Sequence, residues 1–293
     1  MSLRKLKQVF YKQVLFFYII ISSPLRLRPR KTLRFEVDIT GHCNLNCKGC
    51  FHFSPLVEEE FAMPEDLEKD FARLSGLSRR KNENIDLMGG EPLLHPEIKK
   101  ILEISRKYFD GNINIVTNGI LLTKMDSDFW ETCKRNNIKI TVTSYPIRLN
   151  RKLIMQTAKS YAVKVKMRFQ AMNVHTWCRL PMDIHGGQNI IKNFRLCLLA
   201  NFCIFLNNGK LSTCCLPLTA ERFNIFFDKK LEVSENDYID IYKVRNIDEI
   251  FNFLYKPIPF CRYCKQRDWE VGIDWGISKK EISEWIDYME ENP

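Results

Sequence analysis

Apolar and polar positions alternate in blocks that change period along the chain. Strand-like stretches at residues 33–39, 85–88, 113–116, 138–143 and 163–169 are separated by segments whose apolar residues recur at helical spacing. The first such segment starts near Pro64, a residue suited to the first helical turn, and sets Leu67, Phe71 and Leu74 on one face. Others run over 96–109, through Phe129, Trp130 and Cys133, and over 153–161. Five strand-helix repeats of this kind predict a parallel sheet with right-handed crossovers, and we read an open, partial TIM-like barrel. In such sheets ligands sit at the carboxyl ends of the strands, so the residues just after each strand are the first candidates for function.

The segment after the first strand is unusual. It reads His42-Cys43-Asn44-Leu45-Asn46-Cys47-Lys48-Gly49-Cys50, which places Cys43, Cys47 and Cys50 in a C-x3-C-x2-C triplet. An iron–sulfur cube ordinarily takes four cysteines, so a loop offering three leaves one iron open to a reactive ligand. A zinc knuckle or three unrelated buried thiols are the plainer alternatives. After the second strand comes Gly89-Gly90-Glu91-Pro92, and after the third Thr117-Asn118-Gly119. Adjacent glycines admit positive φ and close backbone approach, and a carboxylate such as Glu91 suits an ammonium group.

These three marks, in this order and each after an apolar strand, resemble the radical S-adenosylmethionine (SAM) enzymes. The resemblance implies a 4Fe-4S cluster on Cys43, Cys47 and Cys50, with SAM bound at the open iron. Gly89, Gly90, Glu91 and Asn118 become candidate SAM contacts, and Thr143 and Ser144 at the fourth strand end become candidates for its ribose, with strand-end capping as their alternative. It also implies an electron donor such as a flavodoxin or ferredoxin. One position departs from the family pattern: Gly49 stands where an aromatic residue usually precedes the third cysteine, and Phe51 follows it.

Beyond residue 190 the pattern changes. Cys197 is followed by eleven residues, Gly209, four residues and Cys214, with residues 202–206 and 210–213 reading as a hairpin around Asn207-Asn208-Gly209. Cys261 and Cys264 form a later C-x2-C. This arrangement resembles the Twitch domain, the shortened SPASM extension, which implies a second, auxiliary 4Fe-4S cluster on Cys197, Cys214, Cys261 and Cys264. Four such ligands equally suit tetrahedral zinc. Spacing favours Cys214 over Cys215, because neighbouring strand residues face opposite ways, while Cys133, Cys203 and Cys215 read as buried thiols. Cys178, expected in a loop after the fifth strand, is a candidate hydrogen-atom donor, as in some epimerases. A last helix is expected from Ser278, with Glu281 in a capping box and Ile282, Trp285, Ile286 and Met289 on one side.

With 293 residues and 45% hydrophobic content, one barrel-sized domain and a smaller appendage are within reach. We divide the chain into a basic arm at 1–32, the barrel at 33–190 and a small Cys-rich domain of hairpin and helix at 191–293. Eleven cysteines in a chain this long fit cluster sites in a reducing compartment better than a disulfide framework, so a cytoplasmic location is expected. The net charge of +10 is concentrated: residues 1–35 hold nine basic residues and no acidic one, and the remaining 258 hold 36 basic and 35 acidic. A nucleic-acid surface is therefore not indicated. Leu6, Phe10, Val14, Phe17 and Ile21 form a helical stripe on the arm, whose apolar run of eight is too short to span a bilayer. An interfacial helix on an anionic membrane and an ordinary helix packed on the barrel both fit it.

A four-cysteine auxiliary cluster leaves no iron open to substrate, which favours electron transfer and hence oxidation of an alcohol or sugar-like carbon. Maturation of a ribosomally made peptide ranks second and epimerisation third, so the expected partner is a small-molecule, glycan or peptide substrate. The non-enzymatic alternative is a zinc protein that binds an anionic partner through its basic arm.

Overall fold

Each expected strand carries one apolar edge, and burying those edges under helices organises the chain. The computed structural model describes residues 33–78, 83–169, 175–200 and 202–287, with Phe10, Gln13, Val14 and Phe17 of the arm. The arm helix and its membrane contact otherwise lie outside the described residues, as does Met289. Strands β1 (Arg34–Thr40), β2 (Asn84–Gly89), β3 (Ile113–Thr117), β4 (Ile138–Ser144) and β5 (Lys164–Phe169) pair in parallel and in chain order. Helices α1 (Pro64–Leu77), α2 (Ile98–Tyr108), α3 (Ser127–Arg135) and α4 (Arg151–Ser160) connect them. The result is the mixed α/β, partial TIM-like barrel.

Local sequence explains where the helices begin. Pro64, Glu65 and Asp66 open α1 with a preset φ and two acidic side chains at the positive helix end. Asp126 caps α3 by accepting from the Phe129 N–H at 2.7 Å, and Asn150 caps α4 by accepting from Leu153 at 3.0 Å. Along β1, Phe35, Val37 and Ile39 enter the core beneath the helices, where they meet Phe71, Ile101, Phe109 and Trp130. Arg34, Glu36 and Asp38 therefore face the concave side, the lumen of the open barrel.

The residues beyond 190 continue the same sheet. Helix α5 (Ile190–Leu196) leads to strand β7 (Phe205–Asn207), which pairs in parallel with β1 on the edge opposite β2. A turn with Asn208 and Gly209 both at positive φ, as a two-residue hairpin requires, leads into β8 (Lys210–Ser212), and β9 (Ile239–Asp240) completes an eight-stranded sheet. Helices α6 (Leu216–Phe227) and α7 (Ile247–Leu254) flank β9 in sequence. A second core built on Phe53, Phe205, Phe223, Phe260, Trp269 and Trp285 joins these elements to the loop after β1.

Two expectations are corrected. Cys178 lies not in a loop but in strand β6 (Thr176–Arg179), which pairs antiparallel with β10 (Glu270–Asp274). No α-helix starts at Ser278; only a 3-10 turn over Ile282–Glu284 forms within the described residues. Lys280 sits at a φ of 59°, which an α-helix cannot contain, and the buried Glu284, not Glu281, accepts from Ser278 Oγ and the Lys279 N–H, both at 2.6 Å.

Candidate active site

The cysteine loop leaves the carboxyl end of β1 and is held by backbone from two directions. Gly90 donates to Thr40 O at 2.5 Å and Glu91 donates to His42 O at 3.0 Å, so the end of β2 is pressed onto the start of the loop. A Cβ at Gly90 would fall 1.9 Å from His42 O, and one at Gly89, whose φ is +124°, would fall 2.1 Å from Asp38 Oδ1. The glycine pair is thus required by packing against the loop itself as well as by any ligand.

Glu91 is fully buried and acts as a clasp. Its Oε1 accepts from Thr117 Oγ1 at 2.6 Å and from the Leu93 N–H at 3.1 Å, while Oε2 accepts from the Asn118 N–H at 2.8 Å. Three of its roughly four acceptor sites are thereby used within the protein. Burial pushes its pKa up to about 7, against these hydrogen bonds. Asn118 donates to Asn44 Oδ1 at 2.7 Å and reaches Cys43 Sγ at 3.8 Å, tying the turn after β3 to the cysteine loop. Thr143 and Ser144 are buried at the end of β4, where Thr143 Oγ1 accepts from Arg168 Nε at 3.2 Å.

The structure brings Cys43, Cys47 and Cys50 together closely enough that Cys50 raises both Cys43 and Cys47, and Cys43 also raises Cys47. Burial pushes the Cys43 thiol up to about 12 and raises Cys47 and Cys50 as well, so without a cation all three stay protonated. Hydrogen-bond donors nevertheless point at the sulfurs: the Leu45 N–H at Cys43 (3.4 Å) and the Trp275 indole N–H at Cys47 (3.2 Å). Three buried polar atoms nearby, Thr40 Oγ1, His52 Nδ1 and Trp177 Nε1, have no hydrogen-bond partner among the described residues. Among those residues no three His, Cys, Asp or Glu side chains converge on a single-ion site. Three sulfurs on one loop, two of them served by donors and with unpartnered polar atoms nearby, fit a sulfur-ligated cluster.

Sequence reasoning missed the segment that closes this loop from behind. Residues 275–286 lie along it as a strap: Lys48 donates to Gly276 O at 2.8 Å, Ser278 to Asn46 O at 2.8 Å, and the Trp285 indole to Cys50 O at 2.8 Å. Buried Arg179 anchors the strap through the carbonyls of Ser283, Glu284 and Ile286 at 2.9–3.0 Å and pairs with Glu270 and Asp287. This explains Gly49. Its φ is +63°, and a Cβ there would meet Glu284 O at 3.0 Å, so the strap leaves little room for a side chain at this position. Trp275 instead joins Trp177, Tyr145 and Ile120 against Cys43, Leu45 and Cys47. Also unforeseen was the ion pair of Asp38 with Arg222 of α6 (2.7 Å), shared with Glu60 (2.8 Å).

Cys197, Cys214, Cys261 and Cys264 line one small buried cavity, together with Asn193, Thr213 and Gln266. Gln266 Nε2 donates to Cys197 Sγ at 3.3 Å, and Asn193 donates to the carbonyls of Cys261 and Cys264. Cys215 turns the other way, towards Phe51 O at 3.7 Å. Cys178 packs with the second core, on the strand face opposite Trp177. Cys133 is buried beneath the helices.

The model of the radical SAM superfamily matches residues 37–202. A GTP 3',8-cyclase of Aquifex aeolicus is 28% identical over 242 residues, spanning 80% of this chain and 67% of that protein. A probable GTP 3',8-cyclase of Thermoplasma volcanium is 35% identical over 105 residues, 35% of this chain. The chain spans only 30% of the length of that protein and of a probable GTP 3',8-cyclase of Methanothermobacter marburgensis. Among solved structures, native anSMEcpe with bound AdoMet shares the fold, with a TM-score of 0.51 at 14% identity over 83% of this chain and 93% of that one.

Proposed function

This chain belongs to the radical SAM superfamily, and we propose that within it the protein oxidises an alcohol or sugar-like carbon of a small molecule. Cys43, Cys47 and Cys50 would hold the SAM-binding 4Fe-4S cluster, and Cys197, Cys214, Cys261 and Cys264 an auxiliary one. When bound, the first cluster and SAM supply reductive cleavage of the sulfonium to a 5'-deoxyadenosyl radical, which takes a hydrogen atom from substrate.

What the chain itself contributes is position and shielding. Glu91 and Asn118 fix the loop to the ends of β2 and β3, and the glycine backbone is left for the SAM amino group. Tyr145, Trp177 and Trp275 wall the loop with apolar surface and exclude water. Cys178 faces away from this chamber, so we give it no part as a donor.

The observation that carries the oxidative reading is the pair of short links between the two cysteine sets. Cys50 is followed by Phe51, whose carbonyl meets Cys215, the neighbour of Cys214. The Phe51 ring also stands edge-on to Trp269 at 5.5 Å, Trp269 donates to Gln266 at 2.6 Å, and Gln266 donates to Cys197. Such contacts suit electron transfer to the auxiliary site. Iron and sulfide analysis of the reconstituted protein tests the assignment. About eight irons per chain are expected, falling to about four in Cys214→Ala and unchanged in Cys215→Ala. Colourless protein with zinc in place of iron would favour the structural alternative.

A second reading, a radical rearrangement of the kind named for the cyclases, is supported by the resemblance to the Aquifex aeolicus protein along most of this chain. GTP consumed together with SAM would select it.

A further inference from the structure

The lumen of the barrel carries a cluster of basic side chains, four of which have no carboxylate within ion-pair distance among the described residues. Below the candidate site, an open cavity of about 650 Å³ is lined from the five strands β1–β5, its basic residues being Arg34, Lys139, Lys164, Lys166 and Arg168, with Asp86 as its one acidic lining group. The register explains the convergence. Lys139 on β4 lies beside Lys164 on β5, Thr141 beside Lys166, and Thr143 beside Arg168, so three basic side chains of β5 follow one another up the same concave face.

Asp86 is already committed to Arg34, at 2.7 Å, and also accepts from Asn114 at 2.9 Å. Glu36, its partner in register on β1, shares this face, and burial raises its pKa to about 7, so that near neutrality it carries only part of a negative charge. Lys139, Lys164, Lys166 and Arg168 have no carboxylate within ion-pair distance among the described residues. Of the residues outside those described, 1–32, 79–82, 170–174 and 201 contain no acidic residue, and Glu290 and Glu291 near the end of the sequence are the two carboxylates that remain. Solvated lysines ordinarily spread outward, whereas these converge on a cavity, where like charges repel and an anion relieves them.

We propose that this cavity binds the phosphate of a phosphorylated small-molecule substrate, with Lys139, Lys164, Lys166 and Arg168 as its ligands. The inference rests on the reading of the lumen as the substrate chamber of a radical SAM enzyme and adds to it a substrate class. Ammonium and guanidinium donors give charge-assisted hydrogen bonds to phosphate oxygens. Arg168 also donates to Thr143 at the strand end, linking the phosphate site to the layer where SAM would lie.

The test is calorimetric titration of the reconstituted full chain with inorganic pyrophosphate and, separately, with citrate as a carboxylate control. Saturable one-to-one binding of pyrophosphate is expected. It should weaken at least about tenfold in the Lys164→Gln/Lys166→Gln double variant and persist in Lys164→Arg/Lys166→Arg. Both lysines are exposed on an edge strand, so the fold should survive, and an unchanged melting temperature checks this. No saturable binding, equal binding by the Gln variant, or preference for citrate would overturn the proposal. SAM cleavage by the unsubstituted protein is measured alongside. Its absence with intact pyrophosphate binding would sink the radical reading and not the anion site.

Discussion

Glu36 shows how a single buried carboxyl couples this protein to pH. Burial, reinforced by Asp86 and opposed by a hydrogen bond with Cys203 and by Arg168 and Arg34, raises it from 4.5 to about 7. The native state then binds the proton more tightly than the unfolded chain, so stability falls as pH rises from about 4.5 through about 7. Glu36→Gln should stabilise the protein above pH 7 by on the order of 3 kcal/mol, a gain that vanishes below about pH 4. Thermal melts across that range check it. Trp275 acts on a different property: its indole hydrogen bond to Cys47 should raise the reduction potential of a cluster ligated there. Trp275→Phe should move that potential to more negative values in an electron paramagnetic resonance titration, whereas an unchanged potential would remove the role. Gly49 was visible in the sequence only as a missing aromatic. Its cause lies in a carbonyl at position 284, which no local pattern encodes, so Gly49→Phe should destabilise the fold by about 1–3 kcal/mol, as thermal melts would show.

Among the elements, the ones that formed as expected are those whose signal is periodic and local. Strands β1–β5 and helices α1–α4 each bury one apolar edge in a common core, and their ends coincide with Pro64, Asp126 and Asn150. The strap over 275–286 was misread as a helix because Ile282, Trp285 and Ile286 do recur at helical spacing. Its conformation is set instead by backbone contacts to Asn46, Lys48 and Cys50, more than two hundred positions away. Arg179 is the side chain on which that arrangement depends. Arg179→Met would leave three strap carbonyls unpaired, and a loss of about 3–5 kcal/mol is expected, with earlier protease cleavage between residues 276 and 287. Unchanged stability and cleavage would show that the strap is held by its aromatic residues alone.

At the scale of the whole molecule, what the sequence made legible was the chemistry-bearing loops: three cysteines, Gly-Gly-Glu and Thr-Asn-Gly, each at a strand end. The structure gathers the first set around the end of β1 and the second around one cavity, and it joins the part after residue 190 to the barrel through the pairing of β7 with β1. That junction was not legible, since three-residue strands carry too little pattern to announce their partners. The lumen charge was hidden in the same way, because Arg34, Lys139 and Lys164 meet only once the sheet is built. No helix among the described residues is long and apolar enough to cross a membrane. The central claim is radical cleavage of SAM on the first cysteine set. We would measure 5'-deoxyadenosine after anaerobic reconstitution with iron and sulfide and addition of dithionite and SAM, with Cys47→Ala as control. Nucleoside formed by the unsubstituted protein and not by the variant is the predicted result. Equal nucleoside from both proteins, or none from protein that binds zinc and forms no stable cluster, would contradict it.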